Sequence, residues 1–213
     1  MELPIIVLGG KGHAKVVIDM LLVQRRQIIG YCDLDPDGQL VLGVPRLGDD
    51  EMILTFAPEK VRLANGIGSV RPSLSRSVVY ERFVGKGYTF NQAIHPSAVV
   101  AADVQFGDGV QVMARAVLQP GTRVGVNTII NTSASVDHDC VIGSHVHISP
   151  GAVLCGHVRV GDGAHIGAGA TIVQGRSVGT KSMVGAGAVV LDDVPPNVTV
   201  AGVPAKVIAK KTL

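Results

Sequence analysis

Apolar residues recur at every sixth position from Ile94 to Val190, in the series Ile94, Val100, Phe106, Val112 and onward to Val178, Val184 and Val190. All seventeen positions of the register are filled. At 46% apolar composition, chance would fill such a register about twice in a million trials, so the period is a countable signal. A period of six fits neither the 3.6-residue repeat of a helix nor the alternation of a lone strand. It is the hexapeptide repeat of a parallel β-helix. A second period lies inside the first. Gly107, Gly125, Gly143, Gly161 and Gly179 stand 18 residues apart, each directly after an apolar repeat residue. Three hexads thus make one coil with three flat faces, the geometry of a left-handed β-helix. Glycine at these five positions is expected to supply a backbone shape that is strained for other residues. Two residues before each apolar position the side chain is mostly small or β-branched, as at Ala116, Thr122, Ala134, Cys140 and Ala152. Such residues let a corner close over the core. The repeat makes a little over five coils, a stack of roughly 25 Å at the usual strand spacing.

The first ninety residues follow a different pattern. Pro4–Leu8 is a short buried-strand candidate, followed by the turn Gly9-Gly10-Lys11-Gly12-His13. Ala14–Arg25 carries Val16, Val17, Met20, Leu21 and Val23 at helical spacing. Ile28–Cys32 reads as a second strand ending at Asp33, and Asp35-Pro36-Asp37-Gly38 as a turn. Val61–Ile67 reads as a third strand, and Pro72 opens a helix over Leu74–Lys86. Alternating β and α elements predict a parallel sheet with right-handed crossovers. The chain therefore divides into an α/β, Rossmann-like β-α-β domain at 1–90, a left-handed parallel β-helix at 91–194 and a C-terminal cap at 195–213. The cap starts where Pro195-Pro196 stops the repeat, and closing an open coil is what a solenoid end requires.

Composition narrows the functional classes. A net charge of +2 and 17% charged residues give no dominant field for nucleic acid or a membrane surface. With 3% aromatics there is no basic stripe interleaved with stacking rings. Cys32, Cys140 and Cys155 form no CxxC and read as free thiols of a reducing compartment. The start MELPIIVLGG lacks the regions of a signal peptide. No apolar run approaches the ~18 residues of a membrane span. A cytoplasmic protein is the expectation.

Most hexads carry Gly, Ala or Val outside the core. Asn131–Pro150 departs from this, with Asn131, Asp137, His138, Asp139, His145 and His147 close together. The 18-residue period stacks His147 on His165 and Asp139 on His157, about 5 Å apart. His138 is the candidate general base, since neutral imidazole has an unperturbed pKa near ~6.5. Asp139 or Asp137, bonded to its second nitrogen, would fix the tautomer and stabilise the imidazolium. Two other readings stay open. One is polar decoration of a solenoid. The other is a metal held between subunits by stacked imidazoles such as His147 and His165, as in β-helical carbonic anhydrases, which needs three ligands and an open fourth position. In the N-terminal unit, the turn between strand and helix can meet a phosphate with backbone N–H groups. Asp33, at the end of the next strand, suits a ribose or base. The turn reads GGKGHA rather than GxGxxG, and a merely tight turn is the alternative.

Four segments together resemble one family. VLGGKGHAKVV, YCDLD, NTSASVDHDCVIGSHVHISPGA and AGVPAK are similar to the PglD- and NeuD-like nucleotide-sugar acetyltransferases of the left-handed β-helix type. The resemblance implies a homotrimer with active sites between neighbouring β-helices. It implies a UDP- or GDP-linked amino sugar on the N-terminal domain, acetyl-CoA as co-substrate along the groove between coils, and no metal. It implies His138 as catalytic base with Asp139 as its acidic neighbour, and Asn131 and His147 near the acetyl group and CoA. Gly156, Ala168 and Ala186 would contact the pantetheine arm through their backbone, and Lys206 a CoA phosphate. Lys11, Gly12, His13, Asp33, Leu34 and Gly68 would form the nucleotide-sugar site. The expected reaction is direct acetyl transfer to the sugar amine, at C4, without an acyl-enzyme. Acetylation of a sugar hydroxyl, as on a sialic acid, would use the same base. A zinc-dependent β-helical carbonic anhydrase and a non-catalytic binding module are the remaining alternatives.

Overall fold

The structure is a computed structural model that describes residues 2–35, 37–38, 40–69 and 74–210. Pro36, Pro72 and the last three residues of the expected cap lie outside the described residues. Four parallel strands form the N-terminal sheet: Ile5–Leu8 (β1), Ile28–Cys32 (β2), Arg46–Gly48 (β3) and Arg62–Asn65 (β4), in the order β3-β2-β1-β4. All four residues of β1 are fully buried, as a central strand covered on both faces must be. Helix α1 (Gly12–Val23) crosses between β1 and β2 and buries Ala14, Val17, Ile18, Met20 and Leu21. Helix α2 spans Leu74–Val84. It stops short of Lys86 because Gly87 turns into the left-handed region at φ 88°, the usual way a helix terminates. Strand β4 is shorter than the expected Val61–Ile67. The Asn65 side chain accepts from the Ile67 N–H at 3.1 Å, and this local turn competes with the ladder. Strand β3 and the 3-10 turns Asp50–Thr55 and Pro58–Lys60 were not expected, because three-residue pieces carry no period.

Beyond Ala93 each apolar repeat residue closes a two-residue strand. Among the described residues this left-handed β-helix has three sheets of five, six and eight strands, the last counting two strands from the C-terminal segment. Within the repeat, successive strands of each sheet pair in parallel at a spacing of 18 residues, as in Ile129↔His147, His147↔His165 and His165↔Met183. Val198–Ala201 extends the eight-stranded sheet, and Lys206–Lys210 folds back antiparallel onto it. No described helix is long and apolar enough to cross a membrane.

The five regularly spaced glycines have a different cause from the one expected. None lies in the left-handed region. A Cβ on Gly125 would sit 2.6 Å from the backbone of Gly143 and Ser144, and one on Gly161 2.6 Å from the Thr180 nitrogen. The next coil simply comes too close for a side chain. The left-handed residues stand two positions later, at Gly109, Asn127, His145, Gly163 and Lys181.

The α/β unit sits on the face of the eight-stranded sheet. Ala93, Met113 and Ile129 share a core with Val17, Ile18, Met20 and Leu21 of α1. Outward residues of this face are therefore buried, including Gln111, His147 and His165. The corresponding Val99 of the six-stranded sheet is 63% exposed.

The two kinds of glycine separate in a stability measurement. Gly161→Ala should lower unfolding free energy by about 2–3 kcal/mol through the clash with the next coil. Gly163→Ala, at φ 65° with its nearest contact at 3.5 Å, should cost about 1 kcal/mol. Equal losses in urea unfolding would contradict the close-approach account.

Candidate active site

A cavity of about 790 Å³ opens between the α/β unit and the coils. Its upper wall is the turn between β1 and α1, with Gly9, Lys11, Gly12 and His13, together with Asp33 after β2. The Gly10 N–H donates to Asp33 Oδ2 at 2.6 Å, and the Asp35 N–H to Asp33 Oδ1 at 2.9 Å. Gly10 cannot carry a side chain, since a Cβ would meet the Tyr31 ring at 2.5 Å. The loop Gly66–Ser69 forms a second wall. The floor is the corner between the eight- and six-stranded sheets, with Asn131, His147, Ser149, His165, Ala168 and Ala186.

Three imidazoles in this seam have fixed partners. His13 Nε2 lies 2.9 Å from Gln111 Oε1, and Gln111 Nε2 donates to the Asn65 carbonyl at 2.8 Å. His13 must therefore carry its proton on Nε2. Asn131 Oδ1 accepts from the Thr132 N–H at 2.7 Å, so its amide nitrogen faces His147 Nε2 at 3.0 Å. That assigns the His147 proton to Nδ1, 3.0 Å from Ser69 Oγ. His165 lies with its ring centroid 4.9 Å from that of His147, and its Nε2 is 3.1 Å from Ser149 Oγ. Burial drives all three pKa values down. His147 falls to about 3, helped by His165, His13 and Arg76, and His13 to about 4, helped by Arg76. His165 falls to about 4 by burial alone. All three are neutral at pH 7.

Arg76 of α2 lies beneath the seam, 4% exposed. Its Nη1 donates to the carbonyls of Asn65 and Ile67, each at 2.8 Å, and its Nε to that of Asn127 at 3.3 Å. It pairs with no carboxylate among the described residues, and burial lowers its pKa to about 9. A buried cation beside neutral imidazoles gives the cavity a field that favours an anionic ligand.

A second constellation stands at the corner between the six- and five-stranded sheets. His138 Nδ1 is 2.8 Å from Asp139 Oδ2. Asp137 accepts from the His138 backbone N–H at 2.7 Å instead, so of the two candidate carboxylates Asp139 holds the ring. Asp139 reaches it from a left-handed backbone, φ 59°. Two glycines make room. A Cβ on Gly156 would lie 2.5 Å from His138 Nε2, and one on Gly121 2.5 Å from Asp139 Oδ1. The hydrogen bond to Asp139 raises the His138 pKa, and the negative charges of Asp137 and Asp139 add to it against partial desolvation. The same bond lowers that of Asp139.

The cavity thus gathers Lys11, Gly12, His13, Asp33, Gly68, Asn131, His147, Ala168 and Ala186. It does not gather His138, Asp139 or Gly156, which lie on the other corner. Leu34 is not among its lining residues and is 79% exposed. The expected polar segment Asn131–Pro150 spans slightly more than one 18-residue coil, so its residues serve three separate corners. The third is His145, whose Nε2 lies 3.1 Å from Glu81 Oε1 of α2. Ser69, Arg76, Ser149 and Gln111 were not singled out in the sequence. Gln111 and Ser149 had an available signal, since they share the 18-residue columns of His147 and Asn131. The stacked pair His147–His165 is not a ready metal site, because both His147 nitrogens have partners.

An α/β unit seated on a β-helix, with a phosphate-type turn and coil imidazoles facing one cavity, defines a hexapeptide-repeat transferase. Residues 4–83 match the PglD N-terminal domain, and residues 139–174 match the bacterial transferase hexapeptide (six repeats). A perosamine N-acetyltransferase variant from Caulobacter crescentus, solved with CoA and GDP-perosamine, is 39% identical over 97% of both chains, with a TM-score of 0.91. The acetyltransferase domain of PglB from Neisseria gonorrhoeae, solved with acetyl coenzyme A, is 36% identical over 96% of this chain and 98% of that one, with a TM-score of 0.91. WeeI from Acinetobacter baumannii is 27% identical over 97% of this chain and all of that one, with a TM-score of 0.81. An acyl-[acyl-carrier-protein]–UDP-N-acetylglucosamine O-acyltransferase from Campylobacter concisus is 28% identical over 64% of this chain, and the match spans 44% of that protein's length. The chain belongs to the family of left-handed β-helix sugar N-acetyltransferases that includes the first two.

The buried imidazoles make the seam sensitive to acid. Their folded pKa values lie below the unfolded value of about 6.5, so the unfolded chain binds more protons from pH 6.5 down to about 4 for His13 and His165 and about 3 for His147. The stability they contribute is complete above pH 6.5 and is lost as pH falls through that window. Each fully buried imidazole adds a slope of up to about 1.4 kcal/mol per pH unit. Thermal unfolding should be flat above pH 7 and fall steeply below 6.5, and His147→Gln should make the acid slope shallower. An unchanged slope in that variant would place the acid sensitivity elsewhere.

Proposed function

We propose that the protein transfers the acetyl group of acetyl-CoA to the C4 amino group of a nucleotide-linked amino-deoxy sugar, with His138 as general base. The observation that carries this reading is the cavity itself. The Gly9–His13 turn and Asp33 face the small-residue corner Ala168/Ala186 across one space, in a chain of the same family as an enzyme solved with both CoA and a nucleotide sugar. Asp33 and the open N-terminus of α1 suit the nucleotide, and Arg76 supplies positive potential for its phosphates. Ala168 and Ala186 stand one coil apart and leave room for an extended pantetheine arm running along the stack.

The chemistry follows from the His138 geometry. The amine must lose a proton as it attacks the thioester. Asp139 accepts from the Nδ1–H of His138, which leaves the Nε2 lone pair free to take that proton and stabilises the resulting imidazolium. No acyl-enzyme is required. The Cys140 thiol is buried, pushed up to about 11, and sits 3.2 Å from the Cys155 carbonyl, a poor nucleophile.

The base and the cavity lie on different corners of one chain. A second copy would bring its His138 to this cavity, and three copies around a threefold axis would complete three equal sites. The exposed apolar residues Val99 and Val153 on the sheet between the two corners support such an interface. The three free cysteines and the soluble co-substrates of this reading support a cytoplasmic location.

An acetyl-CoA assay against UDP- and GDP-linked 4-amino sugars tests the reading. His138→Ala should lower kcat by 10²–10⁴-fold with little change in KM for either substrate. Near-full turnover at saturating substrate would remove His138 from the reaction. Mixing His138→Ala chains with cavity-blocked Ala168→Trp chains should restore about a quarter of wild-type activity, because one site in four then combines an intact base with an intact cavity. No recovery would mean that base and cavity come from one chain.

A further inference from the structure

The His138 corner holds a second imidazole that the proposed reaction does not use. His157 stands in the column of Asp139, one coil on. Its Nε2 is 3.7 Å from Asp139 Oδ2, and its ring meets the His138 ring edge-on with centroids 5.0 Å apart. The carboxylate oxygen that His138 Nδ1 approaches at 2.8 Å is the same Oδ2. The ligand atoms of the three residues all lie within 4.8 Å of one another. All three side chains are about half exposed, so an ion could reach them from solvent. No Lys or Arg is paired with Asp139 among the described residues.

Two imidazoles around one carboxylate are a donor set for borderline divalent ions. Tetrahedral zinc with ligands at about 2.0–2.2 Å needs neighbouring donors roughly 3.3 Å apart. The two donor–donor distances to Asp139 Oδ2 bracket that spacing. The backbone holds the set in place. Asp139 and His157 both adopt φ 59°, and the His157 N–H donates to the His138 carbonyl at 2.9 Å. Small side-chain rotations would suffice to close three ligands on one ion, with the fourth position left to water.

We propose that His138, Asp139 and His157 bind a zinc-type divalent cation, and that its binding switches off acetyl transfer by capturing the base. The inhibitory half rests on the reading of His138 as general base. A neutral imidazole carries one proton. With the ion on Nδ1, that proton must reside on Nε2, the nitrogen that would otherwise accept from the amine. The imidazole keeps its place but loses the lone pair the reaction needs.

Cobalt(II) and zinc(II) titrations of metal-free protein test this, with His157→Asn as the comparison. Asn tolerates the left-handed backbone, and His157 has no part in the proposed proton transfer, so turnover without metal should stay within about twofold of wild type. Wild-type protein should bind one cobalt per chain with the intense visible bands of four- or five-coordination. Zinc should inhibit it at least tenfold, and chelator should reverse this. His157→Asn should need at least tenfold more of either ion. No cobalt spectrum, or equal binding by the variant, would overturn the site. The spectrum needs no turnover, so it judges the site even if His138 proves dispensable. A His157-dependent spectrum with unimpaired turnover would overturn the capture of the base and leave the ion site standing.

Discussion

The closeness of successive coils governs this molecule. The Gly125 N–H donates to the Ile142 carbonyl at 2.8 Å, and Gly143 to Val160 and Gly161 to Val178 at the same distance. At that approach no Cβ fits on Gly125 or Gly161, and the ladder cannot slip without burying a polar residue in the core. Once the coil is locked at 18 residues, each outward side chain belongs to a fixed column. The imidazole pair His147–His165, the corner His138–Asp139–His157 and the small corner Ala168–Ala186 all follow from that lock.

The second constraint is the seam between the α/β unit and the coils. An outward sheet face would ordinarily be wet. Here α1 covers it, and most polar groups caught beneath find a partner. Arg76 joins three backbone carbonyls, from the end of β4, the loop after it and the coil corner at Asn127, while its Nη2 and His165 Nδ1 stay without a partner among the described residues. Gln111 joins His13 to Asn65, and Ser69 and Asn131 hold His147 from either side. This network shapes the cavity wall and keeps the imidazoles neutral, which suits binding and orientation rather than proton transfer. The exposed His138, with a pKa that rises instead of falling, is the group suited to take a proton. Environment alone assigns opposite tasks to histidines nine residues apart.

Placement bears directly on the proposed reaction. The cavity and His138 stand on neighbouring corners of the same triangular prism. The proposal that a second copy completes the site rests on that separation.

The β-helix was legible in the sequence because its constraint is local and periodic. The six-residue apolar series and the 18-residue glycines give the coil, its columns and the pairing of His147 with His165 by arithmetic. The β-α-β start was legible for the same reason, through buried strands and a helical apolar face. The reason for the glycines was not legible, because φ and the distance to the next coil leave the same residue type. Arg76, Ser69 and Gln111 were hidden too. Arg76 contacts Asn127 across 51 residues, and Gln111 contacts His13 across 98, and no spacing encodes a contact made by docking one unit on another. The sequence also grouped Asn131, His138 and His147 as neighbours, when a coil carries them to different corners. The chain's period determined the scaffold and its columns. Only the folded prism, and the unit packed on one of its faces, decided which columns line the cavity, which histidines are buried and neutral, and which, like His138, stay exposed beside a carboxylate.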